Sequence, residues 1–217
     1  MSMRIHAFPP SPRAFKALVV ANHVGADFEL RLIDLTKGEQ RQADYVAINP
    51  NMKMPALEDG DLKLWESNAI LNYLAAKHPE SGLLPADDRK RADVLRWQFW
   101  ESTTWDPACA ILVFERVVKP AFGGGAPDPV KVEEGLEKVR RAAAILDAQL
   151  DGRAFVCGDA LTIADFSLGA VLTMKDLAQL PLEPYANIRR WGAQLEALPA
   201  WQATSAMQAS AFKAAAA

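Results

Sequence analysis

Pro55-Ala56-Leu57-Glu58-Asp59-Gly60-Asp61-Leu62-Lys63-Leu64-Trp65-Glu66-Ser67 is the stretch on which the fold of the first third of the chain turns. Two short apolar runs, residues 55–58 and 62–64, flank Asp59-Gly60-Asp61. An Asp-Gly turn favours an antiparallel hairpin, because glycine takes left-handed backbone angles without steric cost. Residues 66–77 then read as a helix. Working back, residues 4–8 read as a strand, Ser11-Pro12 opens a helix that ends near Gly25, and residues 28–34 alternate as a second strand. The order is βαβ followed by ββα.

From residue 89 onward helical periodicity dominates and strand signals nearly vanish. Two prolines and a glycine in His78-Pro79-Glu80-Ser81-Gly82-Leu83-Leu84-Pro85 interrupt the change. The expected organisation is therefore an α/β domain over 1–78, a linker over 79–88 and an all-α domain over 89–217. Residues 89–118 predict one helix rich in Trp97, Trp100 and Trp105. Asp128-Pro129 supplies an N-cap and first-turn proline for a second, with Val132, Leu136, Val139, Ala143, Leu146 and Leu150 on one face. The two are expected to pack antiparallel.

Composition narrows the function classes. Of 217 residues 50% are hydrophobic, and 24 Lys+Arg face 27 Asp+Glu, which suits a packed core and offers no basic field for nucleic acid or an anionic membrane. Cys109 and Cys157 lie far apart, outside any CxxC or Cys/His cluster, so neither a disulfide framework nor a metal site is expected. No apolar run approaches the ~20 residues that span a bilayer, and the opening residues lack the apolar core of an export signal. The expectation is a cytoplasmic protein. Thr162-Ile163-Ala164-Asp165 has the spacing of a capping box, with Leu161 and Phe166 at the staple positions.

The element order, with Ser11, Asn49-Pro50, Met54-Pro55, Glu66-Ser67 and the 162–165 cap, resembles the cytosolic glutathione transferases over nearly the whole chain. The most specific stretches are Asp27-Phe28-Glu29-Leu30, residues 34–39, Asn49-Pro50, Met54-Pro55-Ala56-Leu57 and Glu66-Ser67-Asn68-Ala69-Ile70. They are closest to serine-type classes such as phi, theta and their bacterial relatives. Departures from the phi pattern are Arg13-Ala14-Phe15-Lys16-Ala17 after the serine and Lys53 in place of a glutamine. The resemblance implies a thioredoxin-like N-terminal domain with a mixed sheet, an all-helical C-terminal domain, a homodimer, and glutathione as co-substrate with no further cofactor. It also implies that Met54-Pro55 is cis, although only ~5–6% of X-Pro bonds are.

A cysteinyl peptide with two carboxylates, an amine and a thiol needs anion donors, a backbone ladder and a group that favours thiolate. Ser67, at a helix start with unpaired N–H groups, suits the γ-glutamyl carboxylate or is a plain N-cap; Glu66 suits the ammonium. Met54 before Pro55 offers main chain to the cysteinyl unit. Lys53, Gln40 and Arg41 either meet the glycine carboxylate or are solvated surface side chains. Ser11 either donates to the sulfur, with help from the helix that Pro12 opens, or caps that helix. The electrophile pocket is expected to be lined by Pro9, Pro10 and the first helix of the second domain, with Trp105, Cys109, Leu112 and Phe114 as candidates. Three activities fit the motif set: conjugation of glutathione to small hydrophobic electrophiles with or without peroxide reduction, glutathione-dependent disulfide reduction of the nu-like kind, and a non-catalytic binding module.

Overall fold

The structure is a computed structural model that describes residues 3–215. Met1 and Ser2, part of the stretch read above as lacking an export signal, lie outside it. Two compact units divide the chain: Met1–Leu84 with Ala197–Ala217, and Pro85–Glu196. The final helix therefore groups with the first unit, whereas the sequence pattern alone had placed it with the second.

In the first unit β1 (Met3–Ala7), α1 (Pro12–His23), β2 (Phe28–Leu32), α2 (Ala43–Val46), β3 (Ala56–Asp59), β4 (Leu62–Trp65) and α3 (Ser67–Lys77) follow in order. The sheet runs β2-β1-β3-β4, with β1 parallel to β2 and antiparallel to β3, and β3 antiparallel to β4. This is the mixed, thioredoxin-like sheet that the resemblance implies. Gly60 sits at φ +64 in the hairpin turn, the left-handed angle that the Asp-Gly pair implies. Met3, Ile5 and Ala7 point to the buried face, where Phe15, Leu18, Leu57, Ile70, Leu71 and Leu74 complete a core closed to solvent. Arg4 and His6 alternate to the opposite face.

The last helix, α10 (Pro199–Ala215), joins this core through Trp201, whose ring meets Phe15 edge-on at 4.8 Å. Asn22 Nδ2 donates to Thr204 Oγ1 at 2.8 Å, and Gln208 Nε2 to the Pro10 carbonyl at 3.3 Å. Residues far apart in sequence supply these bonds, which helical periodicity alone does not report.

The second unit contains α4 (Asp88–Trp100), α5 (Asp106–Val113), α6 (Lys119–Ala121), α7 (Pro129–Gln149), α8 (Ile163–Gly169) and α9 (Ala186–Glu196). The single helix expected over 89–118 is one continuous rod interrupted by π turns at Glu101–Trp105 and Phe114–Val118. Each π turn ends two residues before a proline, Pro107 or Pro120. Proline has no N–H and its ring crowds the carbonyl four residues back. A wider i→i+5 turn relieves that crowding: Asp106 N donates to Glu101 O and Lys119 N to Phe114 O. The rod bends its register without breaking.

Helix α7 starts where the sequence places it, with Asp128 accepting from Val130 N at 2.9 Å, and buries Val139, Ala143, Leu146 and Leu150. It packs against α5. Gly135 makes the close approach possible, since a Cβ there would fall 2.8 Å from Leu112 Cδ2. Trp105, Cys109 and Leu112, named above as candidate pocket residues, are fully buried in this packing, and the Trp105 indole donates to the Leu168 carbonyl at 2.9 Å. Phe114 alone of the four is exposed.

The 162–165 cap is the most tightly bonded polar feature of the unit. Ala164 N donates to Thr162 Oγ1 at 3.3 Å, and Thr162 N to Asp165 Oδ2 at 2.9 Å. Beyond the box, Val156 N and Trp191 Nε1 donate to Asp165 Oδ1 at 2.9 and 3.0 Å, so one carboxylate with no exposed surface ties a loop, α8 and α9 together. Burial raises its pKa above the ordinary 3.8, the opposing hydrogen bonds notwithstanding. A raised folded-state pKa means that ionisation of Asp165 takes stability away as pH rises from the unfolded-state value through the folded one. Asp165→Ala leaves three buried N–H groups unpaired, so it is expected to cost about 3 kcal/mol against about 1 kcal/mol for Thr162→Ala, measured as shifts of the denaturant midpoint.

Candidate functional site

Strand register gathers the site. His6 pairs with Ala56, and Ala56 with Trp65, so β1 ends, β3 begins and β4 ends at one edge of the sheet. Because β2 runs parallel to β1, it ends there too. The segments that leave this edge carry Ser11 after β1, Gln40 and Arg41 after β2, Lys53, Met54 and Pro55 before β3, and Glu66 and Ser67 after β4. All eight residues singled out from the sequence therefore emerge at the same end.

Ser11 occupies the N-cap of α1 with extended angles, φ −75 and ψ 128, and its side chain makes no cap bond. Its main chain holds the turn instead: Ser11 N donates to Phe8 O at 2.9 Å, and Phe15 N donates to Ser11 O at 2.8 Å. The hydroxyl is left for another partner. At α3, Ser67 is the first helical residue and is buried, and the preceding Glu66 is exposed, with φ 70 and ψ 113 and no side-chain cap. A non-glycine residue in that region costs on the order of 1–3 kcal/mol and is typical of sites where function dictates the backbone. The first N–H groups of α3 face an uncapped end, a setting that receives carboxylates well.

Gln40 and Arg41 lie on a 3₁₀ turn, Glu39–Arg41, that a local network shapes. Asp34 N donates to Glu39 Oε2 at 3.0 Å, while Thr36 N and Oγ1 donate to Asp34 Oδ1 at 2.9 and 2.6 Å. The Thr36 hydroxyl is the main reason the Asp34 carboxyl falls to about 2. Gly38, at φ +68, turns the chain into this segment. Gln40 Oε1 is buried with no hydrogen-bond partner. Met54-Pro55 is cis, as the resemblance implies. The Lys53 carbonyl accepts two bonds, from Tyr45 OH and Asn49 Nδ2, each at 2.6 Å. Asn49 Oδ1 also accepts from Asn51 N at 3.0 Å.

Sequence reasoning passed over Tyr45 and gave Asn49 no role beyond the motif. A lone tyrosine in Ala43-Asp44-Tyr45-Val46 is a weak signal, and its partner eight residues on is a main-chain atom that no side-chain pattern reports.

Comparison with known proteins shows the family. The family described as "Glutathione S-transferase, N-terminal domain" matches residues 1–76, and "Glutathione S-transferase, C-terminal domain" matches residues 129–201. The maize protein "Glutathione S-transferase 3" is 35% identical over 210 residues, covering 94% of this chain and 93% of its own. This chain belongs to the glutathione S-transferase family. Among solved structures, glutathione transferase F7 from Populus trichocarpa superposes with a TM-score of 0.88 at 28% identity, covering 95% of this chain and 99% of its own. A maize glutathione S-transferase I in complex with an atrazine glutathione conjugate gives a TM-score of 0.87 at 26% identity, covering 96% and 98%.

Within this transferase the cysteines are poor nucleophiles. Burial, followed by the charges of Asp106 and Glu101, raises the Cys109 thiol far above its usual range, and burial pushes Cys157 up to about 12. At pH 8 a thiol of pKa near 12 is ionised in about one molecule in ten thousand. Iodoacetamide at pH 8 is accordingly expected to leave both cysteines unmodified in the folded protein and to label both after denaturation, as read by intact mass.

Proposed function

We propose that this transferase activates glutathione with the Ser11 hydroxyl and conjugates the thiolate to small hydrophobic electrophiles. The observation that carries the reading is a serine hydroxyl at the N-cap of α1 that caps nothing, on the sheet edge that also carries Met54 and Ser67. In this reading Ser67 and the start of α3 receive the γ-glutamyl carboxylate, and Glu66 pairs with the ammonium. Met54 main chain meets the cysteinyl unit. Lys53, Gln40 and Arg41 meet the glycine carboxylate.

Ser11 then has one task. Its O–H donates to sulfur, which favours thiolate over thiol, and the positive end of α1 acts in the same direction. The thiol proton leaves to solvent, the sulfur lone pair forms a C–S bond to the electrophilic carbon, and a leaving group departs with the displaced electron pair. A mixed disulfide on the protein has no support, because both cysteine thiols are held protonated by burial. The plant relatives favour the phi class within the serine-type enzymes.

Subunit pairing and a cytoplasmic setting belong to the same proposal. The first unit leaves Met52 and Trp65 exposed, and the second leaves Leu95 and Phe99 exposed one turn apart on α4, with Phe99 at 69%. Apolar side chains of this size suit burial against a second copy. No helix among the described residues is long and apolar enough to cross a membrane.

Two measurements test the reading. Ser11→Ala is expected to lower kcat toward chlorodinitrobenzene ten- to a hundredfold and leave glutathione affinity within a few-fold. One hydrogen bond to a charged group contributes ~1.5–3 kcal/mol, and ~1.4 kcal/mol is tenfold in rate. The pKa of enzyme-bound glutathione, followed by thiolate absorbance, rises in parallel by about one to two units; coincident titrations with unchanged turnover reduce Ser11 to a helix start. Light scattering at micromolar protein is expected to give twice the chain mass, and a monomer removes the pairing.

A further inference from the structure

We infer that Tyr45 is a positioning residue for glutathione, acting through the main chain of Lys53; the inference rests on the glutathione-site reading above. Tyr45 is the buried residue of α2, and its ring packs with Ile33 and Ala56 in a small cluster bordered by Ile48 and Met54. This cluster lies on the sheet face opposite the main core. The His6 ring meets the phenol ring edge-on, with centroids 5.8 Å apart and planes at 63°. His6 is itself held by Glu58, Nε2 to Oε2 at 2.7 Å. A carboxylate can only accept, so Nε2 carries the proton. The His6 ring, held by Glu58, thus sets the direction of the phenol.

The hydroxyl so aimed donates to the Lys53 carbonyl at 2.6 Å, and Asn49 Nδ2 takes that oxygen's second lone pair at the same distance. In a trans peptide the C=O and the following N–H lie in one plane and point opposite ways. Pinning the Lys53 oxygen from two sides therefore sets the direction of the Met54 N–H, which is the main-chain donor assigned to the cysteinyl unit. It also fixes the Cα from which the Lys53 side chain reaches for the glycine carboxylate. Neither side chain on the sheet face touches glutathione in this arrangement. Their effect is to hold the binding segment in place before the ligand arrives, which lowers the ordering cost of binding. Burial raises the Tyr45 hydroxyl to about 12, so it remains a donor throughout the working pH range.

The test compares Tyr45→Phe with Ile33→Val in the full-length protein. Tyr45→Phe keeps the ring and removes the donor. Ile33→Val loosens the same cluster and leaves the Lys53 carbonyl untouched. Tyr45→Phe is expected to raise KM and the calorimetric Kd for glutathione about three- to tenfold, with kcat and the KM for chlorodinitrobenzene within twofold. Ile33→Val is expected to lower the melting temperature and leave glutathione KM within twofold. Asn49→Ser, which withdraws the other donor, is expected to repeat the Tyr45→Phe pattern, and it carries the test if Tyr45→Phe does not fold. A glutathione KM within twofold of wild type in both Tyr45→Phe and Asn49→Ser overturns the inference, as does an equal rise in Ile33→Val, which makes the cluster merely structural. Failure of the underlying site reading looks different: Ser67→Ala and wild type then bind glutathione alike.

Discussion

Strand β1 is paired along both edges, parallel to β2 and antiparallel to β3, and the site depends on that pairing. A parallel neighbour sends its exit loop to the same end as β1, while an antiparallel neighbour brings its entry loop there. With β4 antiparallel to β3, four segments meet at one edge without any of them being adjacent in sequence. A one-residue slip of β1 against its neighbours would turn Ile5 out of the core and His6 into it. The hydrophobic alternation that keeps Ile5 and Leu57 fully buried therefore also keeps the site assembled.

The same alternation leaves a second, polar face on the sheet. Arg4 there pairs with Glu29 at 3.1 Å and with Glu58 at 3.7 Å, and His6 with Glu58 at 2.7 Å. Exposed pairs such as Arg4–Glu29 contribute little to stability. The buried end of the row, at His6 and Tyr45, is different in kind. There a short helix, a satellite apolar cluster and two short hydrogen bonds convert the sheet face into a support for the 49–55 segment. The main core makes the fold stable; the two hydrogen bonds on the Lys53 carbonyl give the binding segment its shape.

In the second unit the corresponding support is Asp165. A carboxylate with no exposed surface is costly unless its oxygens are filled, and here main-chain and indole donors from three segments fill them. The two prolines of the long rod are accommodated by local widening rather than by a break, which lets Trp105 and Leu112 stay in the core on either side of Pro107. The second unit thus tolerates helix breakers where packing on both flanks outweighs the lost hydrogen bond.

Local chemistry made much of this protein readable. Asp59-Gly60 wrote the hairpin, Asp128-Pro129 the start of α7, and Thr162 to Asp165 the cap, because turn and cap preferences act over four residues or fewer. The motif residues Ser11, Met54-Pro55 and Glu66-Ser67 were legible as a set for the same reason: each sits at a strand or helix end whose position periodicity reveals. What the sequence could not express are contacts between segments. Whether the Ser11 hydroxyl is spent as a cap depends on the turn made by Phe8 and Phe15. That α10 completes the first unit depends on Trp201 finding Phe15 across 186 residues. The role of Tyr45 depends on a main-chain oxygen. Short-range backbone preference was enough to determine the elements and their order. Tertiary structure alone decided which buried polar groups found partners, because a hydrogen bond is directional and its energy is realised only once distant backbone atoms are fixed.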